Sequence, residues 1–134
     1  MKYLKSSKKI IIDKDDKLHE ECGVFGIYNH SDAAALTALG LHALQHRGQE
    51  ASGIVTFDGK KFISERHSGL VSDNFTKESV IRRLVGNSAV GHNRYSTTGA
   101  TIKRNIQPFF ADLWGGGFAT VSYTHLRAHE TTNY

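Results

Sequence analysis

Cys22 is the single cysteine in a chain of 134 residues. It heads the apolar run Cys22-Gly23-Val24-Phe25-Gly26-Ile27-Tyr28, directly after a polar, lysine-rich leader. A lone thiol has no intramolecular disulfide partner, so it is either a buried packing residue or a reactive group. A thiol attacks as the thiolate, and a free cysteine of pKa about 8.5 is only a few per cent ionised at neutral pH, so it needs a base. If the chain is cut before Cys22, the new α-amine, of pKa about 8, can be that base and no histidine is required. Two further runs bring polar groups close together: His46-Arg47-Gly48-Gln49-Glu50, and Gly91-His92-Asn93-Arg94-Tyr95-Ser96-Thr97-Thr98-Gly99. A guanidinium is the natural fork for a carboxylate, which makes Arg94 a candidate anion binder. On spacing alone Arg94 equally fits a surface arginine after a strand. Likewise His46-Arg47-Gly48 fits an ordinary helix C-cap, with cations in the last turn and glycine as the stop.

These groups need elements to hold them. Residues 1–21 are charged and aperiodic, which predicts a leader outside the fold. Cys22 to Tyr28 carries no charge and predicts a strand covered on both faces. Ser31 or Asp32 can cap a helix whose apolar face is Leu36, Leu39, Ala43 and Leu44, ending at Gly48. Ile54 to Phe57, then Asp58-Gly59, then Lys60 to Glu65 predicts a hairpin closed by a two-residue turn. Thr76 can cap a second helix with Val80, Ile81, Leu84 and Val85 on one face, stopped by Gly86, and Ala89-Val90 opens another strand. After Pro108, Phe109 to Trp114 is apolar and Gly115-Gly116-Gly117 turns into Phe118-Ala119. Strands, helices and hairpins are intermixed without a regular βαβ repeat, so the predicted class is α+β in layers.

Composition excludes several functions. An apolar content of 39% suits one domain or part of one. No apolar run approaches the length of a membrane span, and Ile10-Ile11-Ile12 is too short for a secretory h-region. One free cysteine fits a reducing cytoplasm. The net charge is +4; the leader's six lysines face Asp13, Asp15, Asp16, Glu20 and Glu21, which leaves +3 spread over the rest. That spread, without base-stacking aromatics, speaks against nucleic acid as partner. His42 and His46 lie four apart, but with no cysteine partner or HExxH pattern the expectation is no metal site.

Glu21-Cys22-Gly23-Val24-Phe25-Gly26, Leu41 to Glu50 with Ser52-Gly53, and Gly91 to Thr97 together resemble the glutaminase half of the amidophosphoribosyltransferase family, over Glu20 to about Ala119. Related glutaminases, such as the glucosamine-6-phosphate synthase family, usually carry Tyr-Arg-Gly-Tyr-Asp and Thr-Arg-Trp-Ala-Thr-His at the two latter places. The resemblance implies an N-terminal-nucleophile hydrolase fold, a four-layer αββα sandwich, incomplete here, in which removal of the leader exposes Cys22 as the nucleophile. It implies that Arg94, with Thr97 beside it, binds the α-carboxylate of glutamine, and that Arg47 and Gly48 support the catalytic centre. Gln107-Pro108 also matches, although an extended segment fixed by proline accounts for it.

The departure comes after Ala119. The family continues into a strand ending His-Asn-Gly-Asn, whose asparagine side chain and glycine amide form the oxyanion hole, and this chain reads Thr120-Val121-Ser122-Tyr123-Thr124-His125. The expectation is therefore an N-terminal fragment: leader 1–21, partial glutaminase 22–119, and a non-native tail 120–134. The fragment would lack the family's amine-binding acid and its phosphoribosyltransferase domain, and would not itself turn over glutamine. In the whole enzyme the partners implied are glutamine, phosphoribosyl pyrophosphate and further copies of the chain, with magnesium for the other domain. An iron-sulfur cluster is undecided by this sequence, and no cofactor is expected in this chain. The rival readings are another class II glutamine amidotransferase and a non-catalytic glutamine-binding remnant.

Overall fold

The computed structural model describes residues 22–95, 102–114 and 116–121. Six strands and three helices alternate along them: β1 (Gly23–Ile27), α1 (Ala33–Ala43), β2 (Ala51–Phe57), β3 (Phe62–Ser68), α2 (Val71–Asn74), α3 (Glu78–Arg83), β4 (Ser88–Arg94), β5 (Phe109–Leu113) and β6 (Gly116–Thr120). Short 3-10 turns occupy Gln45–Arg47 and Lys103–Asn105. The first sheet has the order β1-β4-β2-β3 and the second is the hairpin β5-β6, with every pairing antiparallel.

Residues opposite one another across a ladder share a face, so the register sorts the first sheet into two sides. Phe25, Ile54, Ala89 and Asn93 point to the helices, while Val24, Gly53, Val55, His92 and Arg94 point the other way. On the helical side Ala34, Ala38, Leu41, Ile54, Val71, Phe75, Val80 and Leu84 make the main core. The opposite side meets the second sheet through Phe62 and Phe110, whose ring centroids lie 5.7 Å apart. One helical layer and two sheets follow, which is the predicted α+β class.

Several expectations change in detail. α1 does not bury Leu36 and Leu39; its inner face is Ala33, Ala34, Thr37, Ala38 and Leu41, and Leu39 is 65% exposed. The reason is proximity: a side chain on Gly40 would overlap the Phe25 ring, so the helix lies on the sheet through its smallest residues. α1 ends at Ala43 rather than at Gly48, which is extended at φ −165° after the 3-10 turn. β1 is an edge strand covered on its helical face only, and Val24 on the other face is 51% exposed. The β2-β3 loop has four residues rather than two, Asp58 to Lys61, because Asp58 Oδ1 accepts from the backbone N–H of both Lys60 and Lys61. Thr76 does not cap α3, whose N-cap is Lys77; its hydroxyl donates to Ser72 O at 2.8 Å. Val85 is exposed, while Val80 and Leu84 are buried as expected. Thr120 pairs with Phe109 at the end of β6. The leader lies outside the described residues, as does the tail after Val121. Among the described residues no helix is long and apolar enough to cross a membrane.

Candidate active site

Cys22 sits one residue before β1, with its backbone in the left-handed region at φ +60°. A non-glycine residue held there costs roughly 1 to 2 kcal/mol, so its neighbours must fix it. They are visible. Tyr95 N–H donates to Cys22 Sγ at 3.4 Å, and the Tyr95 carbonyl lies 3.7 Å from the same sulfur. The half-buried thiol is thus held between the start of β1 and the end of β4.

The turn after α1 reaches the same place. Arg47 Nε donates to the Cys22 carbonyl at 2.6 Å. Gly48 then packs edge-on against β4: a Cβ there would lie 2.7 Å from the Arg94 carbonyl carbon and 2.8 Å from the carbonyl oxygens of Arg94 and Asn93. Glycine is needed for this approach and not as a helix stop. Gln45 braces the turn, its Nε2 donating to Gly48 O at 2.6 Å while its Oε1 accepts from Val71 N–H at 2.7 Å.

β4 carries the other groups. Asn93 Nδ2 donates to Leu41 O at 2.7 Å, satisfying a carbonyl near the C-terminal end of α1. Arg94 points oppositely and is 0% exposed. Its Nη1 donates to Asn105 O at 3.0 Å and to Gln107 Oε1 at 3.2 Å. Gln107 is seated by backbone contact, since a side chain on Gly53 would overlap the Gln107 carbonyl. Arg66 Nη1 donates to Ile106 O at 3.3 Å, tying β3 to the same segment. His92, two residues before Arg94 on this face, has its pKa pushed down to about 4 by burial and by the positive charge of Arg94, so its imidazole is neutral at pH 7.

Cys22, Arg47, Gly48 and Arg94 therefore converge at one end of the β1-β4 pair. Thr97 lies outside the described residues. Gln107, which the sequence explains as part of an extended segment fixed by proline, has Arg94 as its partner, and the Tyr95 backbone, to which the sequence assigns no role, meets the sulfur. Among the described residues no group of three or more His, Cys, Asp or Glu side chains could hold a metal ion.

Over 104 residues, 78% of this chain, the sequence is 66% identical to the amidophosphoribosyltransferase of Rhizobium etli. The chain belongs to the amidophosphoribosyltransferase family. It is also 53% identical over 122 residues to the chloroplastic amidophosphoribosyltransferase 3 of Arabidopsis thaliana. It covers 21% and 23% of these two relatives, so it spans between a fifth and a quarter of their length. Among solved structures, glutamine phosphoribosylpyrophosphate amidotransferase from B. subtilis, complexed with ADP and GMP, matches with a TM-score of 0.65 and 34% identity, over 82% of this chain and 24% of that one. A second, described as the allosteric regulatory enzyme of purine biosynthesis, matches with a TM-score of 0.68 at the same 34% identity, over 82% of this chain and 25% of that one. The fold is thus that of the amidophosphoribosyltransferase N-terminal-nucleophile domain, represented here by one helical layer and both sheets. No family model matches the chain.

Proposed function

We propose that these residues form the glutaminase site of an amidophosphoribosyltransferase, with Cys22 as nucleophile. The observation that carries the reading is the convergence of the Cys22 thiol, the Arg47 contact to its carbonyl and the buried Arg94 at one end of two neighbouring strands. The thiolate adds to the side-chain amide carbon of glutamine, the C–N bond breaks, and ammonia leaves with the proton taken from the thiol. The resulting γ-glutamyl thioester is cleaved by water to glutamate and free thiol. The α-amine of Cys22, released when the bond after Glu21 is cut, relays that proton. Arg94, with Thr97, takes the α-carboxylate, and Arg47 and Gly48 hold the backbone on either side.

The remainder of the enzyme uses the ammonia to convert phosphoribosyl pyrophosphate into phosphoribosylamine, a pentosyl transfer. Magnesium and assembly into a homo-oligomer belong to that whole, which we place in the cytoplasm. Turnover is assigned to the full-length enzyme because, in the family, the oxyanion donors and the amine-binding acid follow Ala119. Losing one oxyanion donor alone lowers the rate by about 10²- to 10³-fold.

Cys22→Ala in a full-length enzyme carrying this sequence tests the reading. Phosphoribosylamine synthesis from glutamine is expected to vanish while synthesis from added ammonium chloride persists. Retained glutamine-dependent synthesis would remove Cys22 from the chemistry.

A further inference from the structure

Gln45 is fastened at both ends of its side-chain amide, and the two ends meet different parts of the fold. Its Nε2 donates to the Gly48 carbonyl at 2.6 Å, and its Oε1 accepts from the Val71 N–H at 2.7 Å. The main chain of the same residue also holds position 48, since Gly48 N–H donates to the Gln45 carbonyl at 3.3 Å. Residues 45–48 thus close a loop with Arg47 inside it. From there Arg47 Nε reaches the Cys22 carbonyl at 2.6 Å. Val71 is the first residue of α2, so one half-buried amide joins the corner between β3 and α2 to the turn that grips Cys22.

The far end of the turn is fastened without Gln45. Gly69 N–H donates to the Glu50 carbonyl at 2.8 Å, and Glu50 N–H donates to the Arg94 carbonyl at 3.3 Å. Loss of the Gln45 amide therefore releases the Arg47–Gly48 half of the turn while the strand end carrying Arg94 stays tied. Both bonds require a donor and an acceptor in one side chain. A carboxylate keeps the Val71 contact but sets an oxygen against the Gly48 carbonyl, and methionine keeps the length and makes neither bond. We propose that Gln45 is a positioning residue for the nucleophile, through which the β3–α2 corner fixes the direction of Arg47 and thereby the backbone of Cys22. This inference rests on the reading of Cys22 as the nucleophile. Gln45 acts on Cys22 through Arg47.

The test is a double-mutant cycle in a full-length enzyme carrying this sequence: Gln45→Met, Arg47→Lys and the two together, with Gln45→Glu and Cys22→Ala beside them. The readouts are kcat and KM for glutamine, and phosphoribosylamine synthesis from ammonium chloride. Gln45→Met and Gln45→Glu are each expected to lower kcat for glutamine about 10-fold, the scale of one hydrogen bond that orients a reacting group. KM is expected to stay within about threefold of wild type, because Glu50 still holds the Arg94 carbonyl, and ammonia-dependent synthesis is expected to be unchanged. The double variant is expected to be no more than about twofold slower than the slower single variant, since both changes cut the same path. Wild-type kcat in Gln45→Met, or a change confined to KM, overturns the proposal. So do effects of Gln45→Met and Arg47→Lys that multiply, the mark of a residue that merely supports the fold, and an unaffected Arg47→Lys beside a slow Gln45→Met. Wild-type kcat in Gln45→Glu would mean that the Val71 tie alone suffices, and likewise overturns it. Glutamine-dependent synthesis retained in Cys22→Ala overturns the reading of the nucleophile itself. With that synthesis abolished in Cys22→Ala, the preceding outcomes overturn only the role of Gln45. Should Gln45→Met not fold, Gln45→Glu takes its place in the cycle.

Discussion

Arg47 Nε donates to the carbonyl oxygen of Cys22 at 2.6 Å, so the turn after α1 grips the backbone of the cysteine directly. Arg47→Lys keeps the charge but loses the directed Nε–H of the guanidinium. In the full-length enzyme it is expected to lower kcat for glutamine about 10-fold or more while leaving KM nearly unchanged, because the contact orients the thiol and not the substrate. Steady-state assays give the split. A change confined to KM would mean that Arg47 serves binding instead.

Gly48→Ala places a methyl group against backbone atoms that cannot swing aside, 2.7 Å from the Arg94 carbonyl carbon. Overpacking of this kind costs about 1 to 3 kcal/mol, and here the displaced strand end is the one carrying Arg94. The expected outcome is a lowered urea midpoint together with a raised KM for glutamine. Gly59→Ala is the control: Gly59 has φ +96° with nothing within 4 Å of its would-be Cβ, so backbone strain is its only cost and the KM stays at the wild-type value.

His92 supplies a pH dependence. Burial first, and Arg94 second, lower its pKa from 6.5 to about 4 in the folded state. The unfolded state therefore takes up the proton first. The stability contributed by neutral His92 is complete above pH 6.5 and is lost as the pH falls towards 4, to a total of about 3 kcal/mol. His92→Asn removes the titrating group. Between pH 7 and 4.5 its melting temperature is expected to fall less than that of the wild type, and parallel falls would show that His92 does not titrate in this window.

The sequence reveals the site unevenly, for physical reasons. Cys22 and Arg94 stand out because chemistry demands their residue types, and their runs have no simpler account together. The contact of Arg47 with Cys22 spans 25 residues and depends on how a 3-10 turn meets an edge strand, which no local period encodes. Gln107 was masked by its neighbour, since the following proline already explains an extended segment. The face of α1 was misjudged because Leu36 and Leu39 dominate any count of apolar bulk, although closeness to the sheet selects Ala34, Thr37, Ala38 and Leu41. The recurring small residues were the available signal. Asp58-Gly59 marks the hairpin correctly, but the reach of the Asp58 carboxylate to two further amides sets the loop length.

The alternation of Asn93 and Arg94 in β4 links assembly to competence. Asn93 locks the strand to α1, and the next residue faces the opposite way into the site. Sliding β4 by one position would exchange them, driving a guanidinium beneath the helix and an amide into the space beside Asn105 and Gln107. That mispairing would bury a charge without its acceptors, so it is rejected energetically before any substrate arrives. The strand acts as a proofreading device: a molecule that passes the folding test already has its arginine pointing the right way.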